Sequence, residues 1–168
     1  MTEQIFFIAI RVCGAFLAIF FFGIQNEIPR RYLFQAGLVG AAGGLGYLLA
    51  ILGGADEVMA SFVSALVAAF TSHIFARIYK TPVTLFLVAG ILPTVPGAGM
   101  YRTVHYILEE NEAMAAQYLM QTLEIAGMIA LAIFVVDTVF RAAQKGEWKQ
   151  NSMKYVQKLT TPKEETKS

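Results

Sequence analysis

Pro93, Thr94, Pro96, Gly97, Gly99, Tyr101 and Arg102 stand together at the end of the run "VTLFLVAGILPTVPGAGMYR". Their types point to the binding of an anion. Pro93 and Pro96 lack N–H groups, so a helix through them leaves the carbonyls of Ala89 and Leu92 without donors. Each proline also biases its predecessor, Leu92 or Val95, away from helical geometry. Gly97 and Gly99 permit positive φ and close backbone approach. A helix restarting around Gly99 to Tyr101 presents free N–H groups and a positive dipole end, which favour a negative group. Arg102 is expected in that first turn, where a cation is unfavourable unless an anion is present. A substrate carboxylate satisfies both. Tyr101 is expected to close one side, and His105 and Glu109 project on roughly the face of Arg102. The competing reading is a proline-kinked helix whose arginine binds lipid headgroups.

Ionisable residues inside apolar runs are the other candidates for chemistry, because a charge in a bilayer is costly and is kept for function by default. Glu124 is expected near the middle of such a run, where burial would raise its pKa and let it carry a proton. It could equally pair with Arg11 as a static ion pair. Asp137 lies near a segment end and is read as an interfacial residue. His73 sits beside Ser72 and Phe75 and reads as hydrogen-bonded packing before a proton relay. Cys13 is alone and reads as a small packing residue. With two histidines and one cysteine, no metal-ligand cluster is expected, and no cofactor is implied.

These residues need elements that hold them in a bilayer. The chain of 168 residues is 57% hydrophobic and 15% charged, against about a quarter charged in soluble domains. Its charges are bunched between long apolar runs, which is membrane-protein patterning. The fold class is therefore an all-α integral membrane protein with about five transmembrane helices. The expected segments are Ile5 to Ile24, Tyr32 to Gly53, Val58 to Ile78, Val83 to about Tyr101, and Ala113 to Phe140. The fourth is broken by the proline–glycine motif. Residues 1–140 form the transmembrane domain, and 141–168 form a basic cytoplasmic tail. That tail either lies against anionic headgroups or is solvated, with "TTPKEETKS" disordered. No basic domain is present, so nucleic-acid binding is not expected.

Arg30, Arg31, Arg77, Lys80, Arg141, Lys145 and Lys149 gather on one side of these segments, and Asp56, Glu57, Glu109, Glu110 and Glu112 on the other. The positive-inside rule then gives an outside N-terminus and a cytoplasmic C-terminus, with Arg102 on the opposite side to the other loop cations. Gly37, Gly40 and Gly44 in the second segment share a face. Ser61, Ala65 and Ala69 form a small-residue face on the third, and Ser64, Ala68 and Ser72 form another. Such stripes let helices approach closely in lipid; the alternative for the glycines is a permeation path.

The stretch "FLVAGILPTVPGAGMYR" resembles the signature of the small, membrane-only members of the threonine/serine exporter family. "IQNEIPRRYLFQAGLVGAAGG" extends the resemblance, which covers nearly the whole chain to Phe140 but not the lysine-rich tail. The resemblance implies secondary export of a small polar metabolite, a hydroxy amino acid or a dicarboxylate such as succinate, with proton coupling expected. It also implies a bacterial cytoplasmic (inner) membrane location. Transporters of this kind have two related halves, fused or split, so the expected partner is a larger membrane subunit, with a homo-oligomer as the alternative. The rival readings are a membrane scaffold without a solute of its own and an intramembrane enzyme. For the latter the sequence supplies no convincing nucleophile and base.

Overall fold

A computed structural model describes the backbone of residues 2–160 and the side chains of 6–143. The described residues form six α-helices: α1 (Thr2–Gln25), α2 (Arg30–Leu52), α3 (Glu57–Tyr79), α4 (Val83–Ile91), α5 (Gly97–Leu108) and α6 (Glu112–Thr160). One turn of 3₁₀ helix, Leu92–Thr94, lies between α4 and α5. Among the described residues, four helices are long and apolar enough to cross a membrane, and α4 with α5, bent 49° from each other, qualify together as a fifth span. The protein is a multi-pass, all-helical membrane protein.

Local chemistry sets the helix ends. The Asp56 side chain caps α3 by accepting from the Met59 N–H at 3.3 Å. Lys80 closes α3 in the left-handed region (φ 52°), its N–H reaching the Ala76 carbonyl. Pro82 then precedes α4, at a position where a missing N–H costs nothing.

The α2 glycines serve packing. Side chains on Gly37, Gly40 and Gly44 would run into Phe16, Ile19 and Ala15 of α1. A Cβ on Gly43 would lie 3.3 Å from the Ala68 Cβ and 3.5 Å from the carbonyl oxygens of Ser64 and Gly90. The Ser64 hydroxyl donates to the Gly43 carbonyl at 2.8 Å in this buried contact. On α4, a side chain at Gly90 would overlap Val39. The three helices thus touch almost backbone to backbone. Dispersion contacts and a hydrogen bond of this kind hold helices together where apolar surface gains nothing by leaving lipid. Toward the basic ends, the fully buried Phe86 packs among the rings of Tyr32, Phe75 and Tyr79. Ile125, Ile129 and Ala132 of α6 share a core with Ala65 and Phe62 of α3.

Two helix ends differ from the sequence reading. The fourth segment extends to Leu108, beyond the expected Tyr101, because the restarted helix has no breaker before Glu109. The apolar span of the fifth, Glu112–Ala143, ends close to the expected Phe140, but its helix α6 runs on to Thr160. Residues 141–160 contain no proline, and their Ala, Gln, Lys and Glu favour helix. The chain divides into two units, Met1–Val136 and Asp137–Ser168. Within the second, the Arg141 Nε donates to Asp137 Oδ2 at 2.6 Å. The tail side chains suggested to meet headgroups, and the expected disorder of 161–168, lie outside the described residues.

Candidate functional site

The break between α4 and α5 is satisfied from within. Pro93 sits in the 3₁₀ turn, where N–H groups reach three residues back. The Leu92 N–H bonds the Ala89 carbonyl, and the Val95 N–H bonds the Leu92 carbonyl at 3.3 Å. Both carbonyls expected to be orphaned therefore have donors. The Thr94 hydroxyl donates to the Ile91 carbonyl at 2.6 Å. Leu92 accordingly stays right-handed helical (φ −53°, ψ −40°), and only Val95 becomes extended (φ −61°, ψ 128°). The pre-proline preference is overridden at Leu92 by the tighter hydrogen-bond register.

The second helix begins at Gly97, earlier than the expected Gly99 to Tyr101. The Pro96 carbonyl accepts from the Met100 N–H at 3.1 Å, and the Gly97 N–H turns back to Val95 at 2.8 Å. Arg102 therefore falls in the second turn of α5. Neither Gly97 nor Gly99 has positive φ; both are helical. Gly99 is required for a different reason, since a side chain there would collide with Thr122 Oγ1 of α6. Ala98 and Gly99 keep first-turn N–H groups with no backbone acceptor among the described residues.

A cavity of about 270 Å³ opens at this break. Pro93, Thr94, Pro96, Ala98, Gly99 and Arg102 form one side. Tyr47 of α2, Glu57 and Ser61 of α3, and Tyr118, Gln121, Thr122 and Ile125 of α6 complete it. The Arg102 guanidinium lies 5.4 Å from the centre of the Tyr118 ring, and Tyr118 stacks on Tyr106 at 5.4 Å. Gln121 Nε2 donates to Glu57 Oε2 at 2.9 Å, tying α6 to the start of α3. A second cavity, of about 240 Å³, shares Tyr47, Pro93 and Thr94 with the first and is lined also by Arg11, Gly44 and Leu48.

Of the residues picked from sequence, Pro93, Thr94, Pro96, Gly99 and Arg102 line the main cavity. Gly97 starts α5 beside it. Tyr101 faces outward, 72% exposed, and stacks on His105. His105 in turn lies 3.3 Å from Glu109. That trio, each residue one turn from the next, forms an outer face of α5. Arg11 covers the Phe7 ring at 4.5 Å. It forms no ion pair with Glu124 among the described residues, and Glu124 is exposed on α6. His73 is buried within α3, and Asp137 pairs with Arg141.

Sequence reasoning missed the α2, α3 and α6 walls. One signal was present: Tyr118, Gln121, Thr122 and Ile125 recur at helical spacing, a polar patch in an apolar helix. Glu57 reads locally as a loop acid, and nothing local directs Tyr47 toward the break. Among the described residues no His, Cys, Asp or Glu cluster could hold a metal ion.

A curated relative, the threonine/serine exporter of Corynebacterium glutamicum, is 26% identical over 110 residues, covering 66% of this chain and 22% of the relative. The chain thus spans well under half the length of the curated relative it matches. No solved structure matches it. Residues 11–139 match the family described as Threonine/Serine exporter, ThrE. That match runs from the first helix through the broken segment to the apolar part of α6, and the chain belongs to the threonine/serine exporter family.

Proposed function

We propose that this chain is the membrane subunit of a secondary exporter, and that its Pro93–Arg102 break binds the carboxylate of a small solute. The observation that carries the reading is the cavity. Arg102, Ala98 and Gly99 line one small chamber, and the N–H groups of Ala98 and Gly99 have no backbone acceptor among the described residues, so positive charge and first-turn dipoles are available to a single anionic group. At about 270 Å³ it lies just below the usual range of ligand pockets, roughly 300–1,000 Å³, as suits an amino acid or a short dicarboxylate. Non-helical backbone at membrane depth is tolerated where it lines such a cavity, and discontinuous helices commonly carry transporter substrate sites.

In this reading α4 and α5 form one complete, broken span. Their helical residues, with the 3₁₀ turn, rise about 37 Å, more than the roughly 30 Å of hydrocarbon. A bend of 49° also keeps both halves heading across the bilayer. The cavity then lies toward the acid-rich ends of the helices. By the positive-inside rule that is the outer side, with the C-terminus in the cytoplasm of a bacterial inner membrane. Glu124 and Arg11 are exposed within apolar helices, where facing lipid would be expensive. A larger membrane subunit, or a second copy, that covers them removes that cost. Glu124 is the candidate for proton coupling across such an interface.

The test is efflux of labelled serine, threonine and succinate from cells expressing the chain, with and without a larger family subunit. Arg102→Ala should abolish efflux while leaving the membrane-inserted amount unchanged. Wild-type flux in that variant would remove the carboxylate role.

A further inference from the structure

We propose that the same cavity holds an ammonium subsite at Glu57, which makes the transporter select zwitterionic amino acids over dicarboxylates; the inference rests on the carboxylate role of Arg102. Among the described lining residues, Arg102 is the one cation and Glu57 the one carboxylate. The acids of the preceding turn divide their tasks. Asp56 is spent on capping α3. Glu57, next along, is held at the cavity by the 2.9 Å hydrogen bond from Gln121, and its place in the first turn of α3 suits a negative group.

The hydroxyls reinforce this polarity. Ser61 donates its proton to the Glu57 carbonyl at 2.8 Å, Thr122 to the Tyr118 carbonyl at 2.7 Å, and Thr94 to the Ile91 carbonyl at 2.6 Å. A hydroxyl has one proton to give and two lone pairs, so toward the cavity these three oxygens can only accept. The charged donor, Arg102, lies on α5 beside the amides of Ala98 and Gly99, while the Tyr47 and Tyr118 hydroxyls and the second Gln121 N–H are neutral donors from α2 and α6. The chamber therefore carries its positive charge on α5 and its negative charge at Glu57 of α3. A zwitterion satisfies both with its carboxylate and its ammonium. A dicarboxylate can satisfy only the first, and brings its second negative charge toward Glu57 and acceptor-only oxygens, where like charge is repelled.

The test is counterflow of labelled L-serine, and separately of labelled succinate, in membrane vesicles from the native host, deleted for the chain and complemented with wild type or variants. Unlabelled L-serine, L-glycerate (serine with a hydroxyl in place of the ammonium) and succinate serve as competitors. Wild type should prefer serine over both others by roughly tenfold or more. Glu57→Gln should erase that preference at unchanged protein level, with glycerate competing at least as well as before. Gln121→Leu, which frees Glu57 but leaves its charge, should weaken the preference by a smaller factor. An unchanged ratio in Glu57→Gln, or a wild type that prefers succinate, overturns the ammonium subsite alone. Normal counterflow in Arg102→Ala, or a wild type with counterflow of neither labelled serine nor labelled succinate, overturns the carboxylate reading and this one with it.

Discussion

Replacing Gly99 by alanine probes the contact that joins the broken segment to α6. The added methyl would meet Thr122 Oγ1, while the Thr122 Cβ lies 3.6 Å away, at ordinary contact distance. The conflict is thus with a single oxygen. Thr122 cannot yield freely, because its hydroxyl donates to the Tyr118 carbonyl at 2.7 Å and the residue is buried. Overpacking of this type costs about 1–3 kcal/mol. For a chain of this size that lowers the melting temperature by roughly 2–12 °C. Thr122→Ala removes the offending oxygen and keeps the Cβ, so Gly99→Ala/Thr122→Ala should recover most of the loss. The assay is thermal denaturation of the purified chain in mild detergent for wild type, both single variants and the double. A Gly99→Ala variant as stable as wild type would refute the close approach of α5 to α6. Additive losses in the double variant would show that Thr122 is not what Gly99 accommodates.

Ser64→Ala removes the interhelical hydrogen bond to Gly43, and in a membrane bundle this should cost about 0.6 kcal/mol and at most about 1.7. The same thermal assay should show a fall of roughly 1–7 °C, and no fall would mean that close packing alone, without this hydrogen bond, holds that helix pair. For Glu124→Gln we expect solute exchange to continue while the pH dependence of net efflux flattens. An unchanged pH profile would leave Glu124 an interfacial residue with no part in coupling.

Much of the site's backbone was legible in the sequence because proline and glycine act locally. Pro93 and Pro96 cannot complete a helix whatever surrounds them, so the break was readable from the chain alone. Its details were not. Leu92 stayed helical because 3₁₀ bonding re-satisfied the carbonyls, and Gly99 proved to be a matter of space instead of φ. The α2 glycines were also readable as packing residues, but only the assembled helices show that Gly40 and Gly44 meet α1 while Gly43 meets α3.

By itself the sequence determined the membrane setting, the helical class and the place where a helix must break. Apolar length, charge bunching and proline chemistry are properties of contiguous residues. Tertiary structure decided what faces the break. Glu57 and Gln121 are far apart in the chain and 2.9 Å apart in space, and Arg102 gained Tyr118 as its platform through the return of α6. Tyr101, adjacent to Arg102 in sequence, was turned away by the 100° step of the helix. Which side chains share a chamber depends on how helices cross, and packing between distant segments fixes that crossing where no local pattern encodes it.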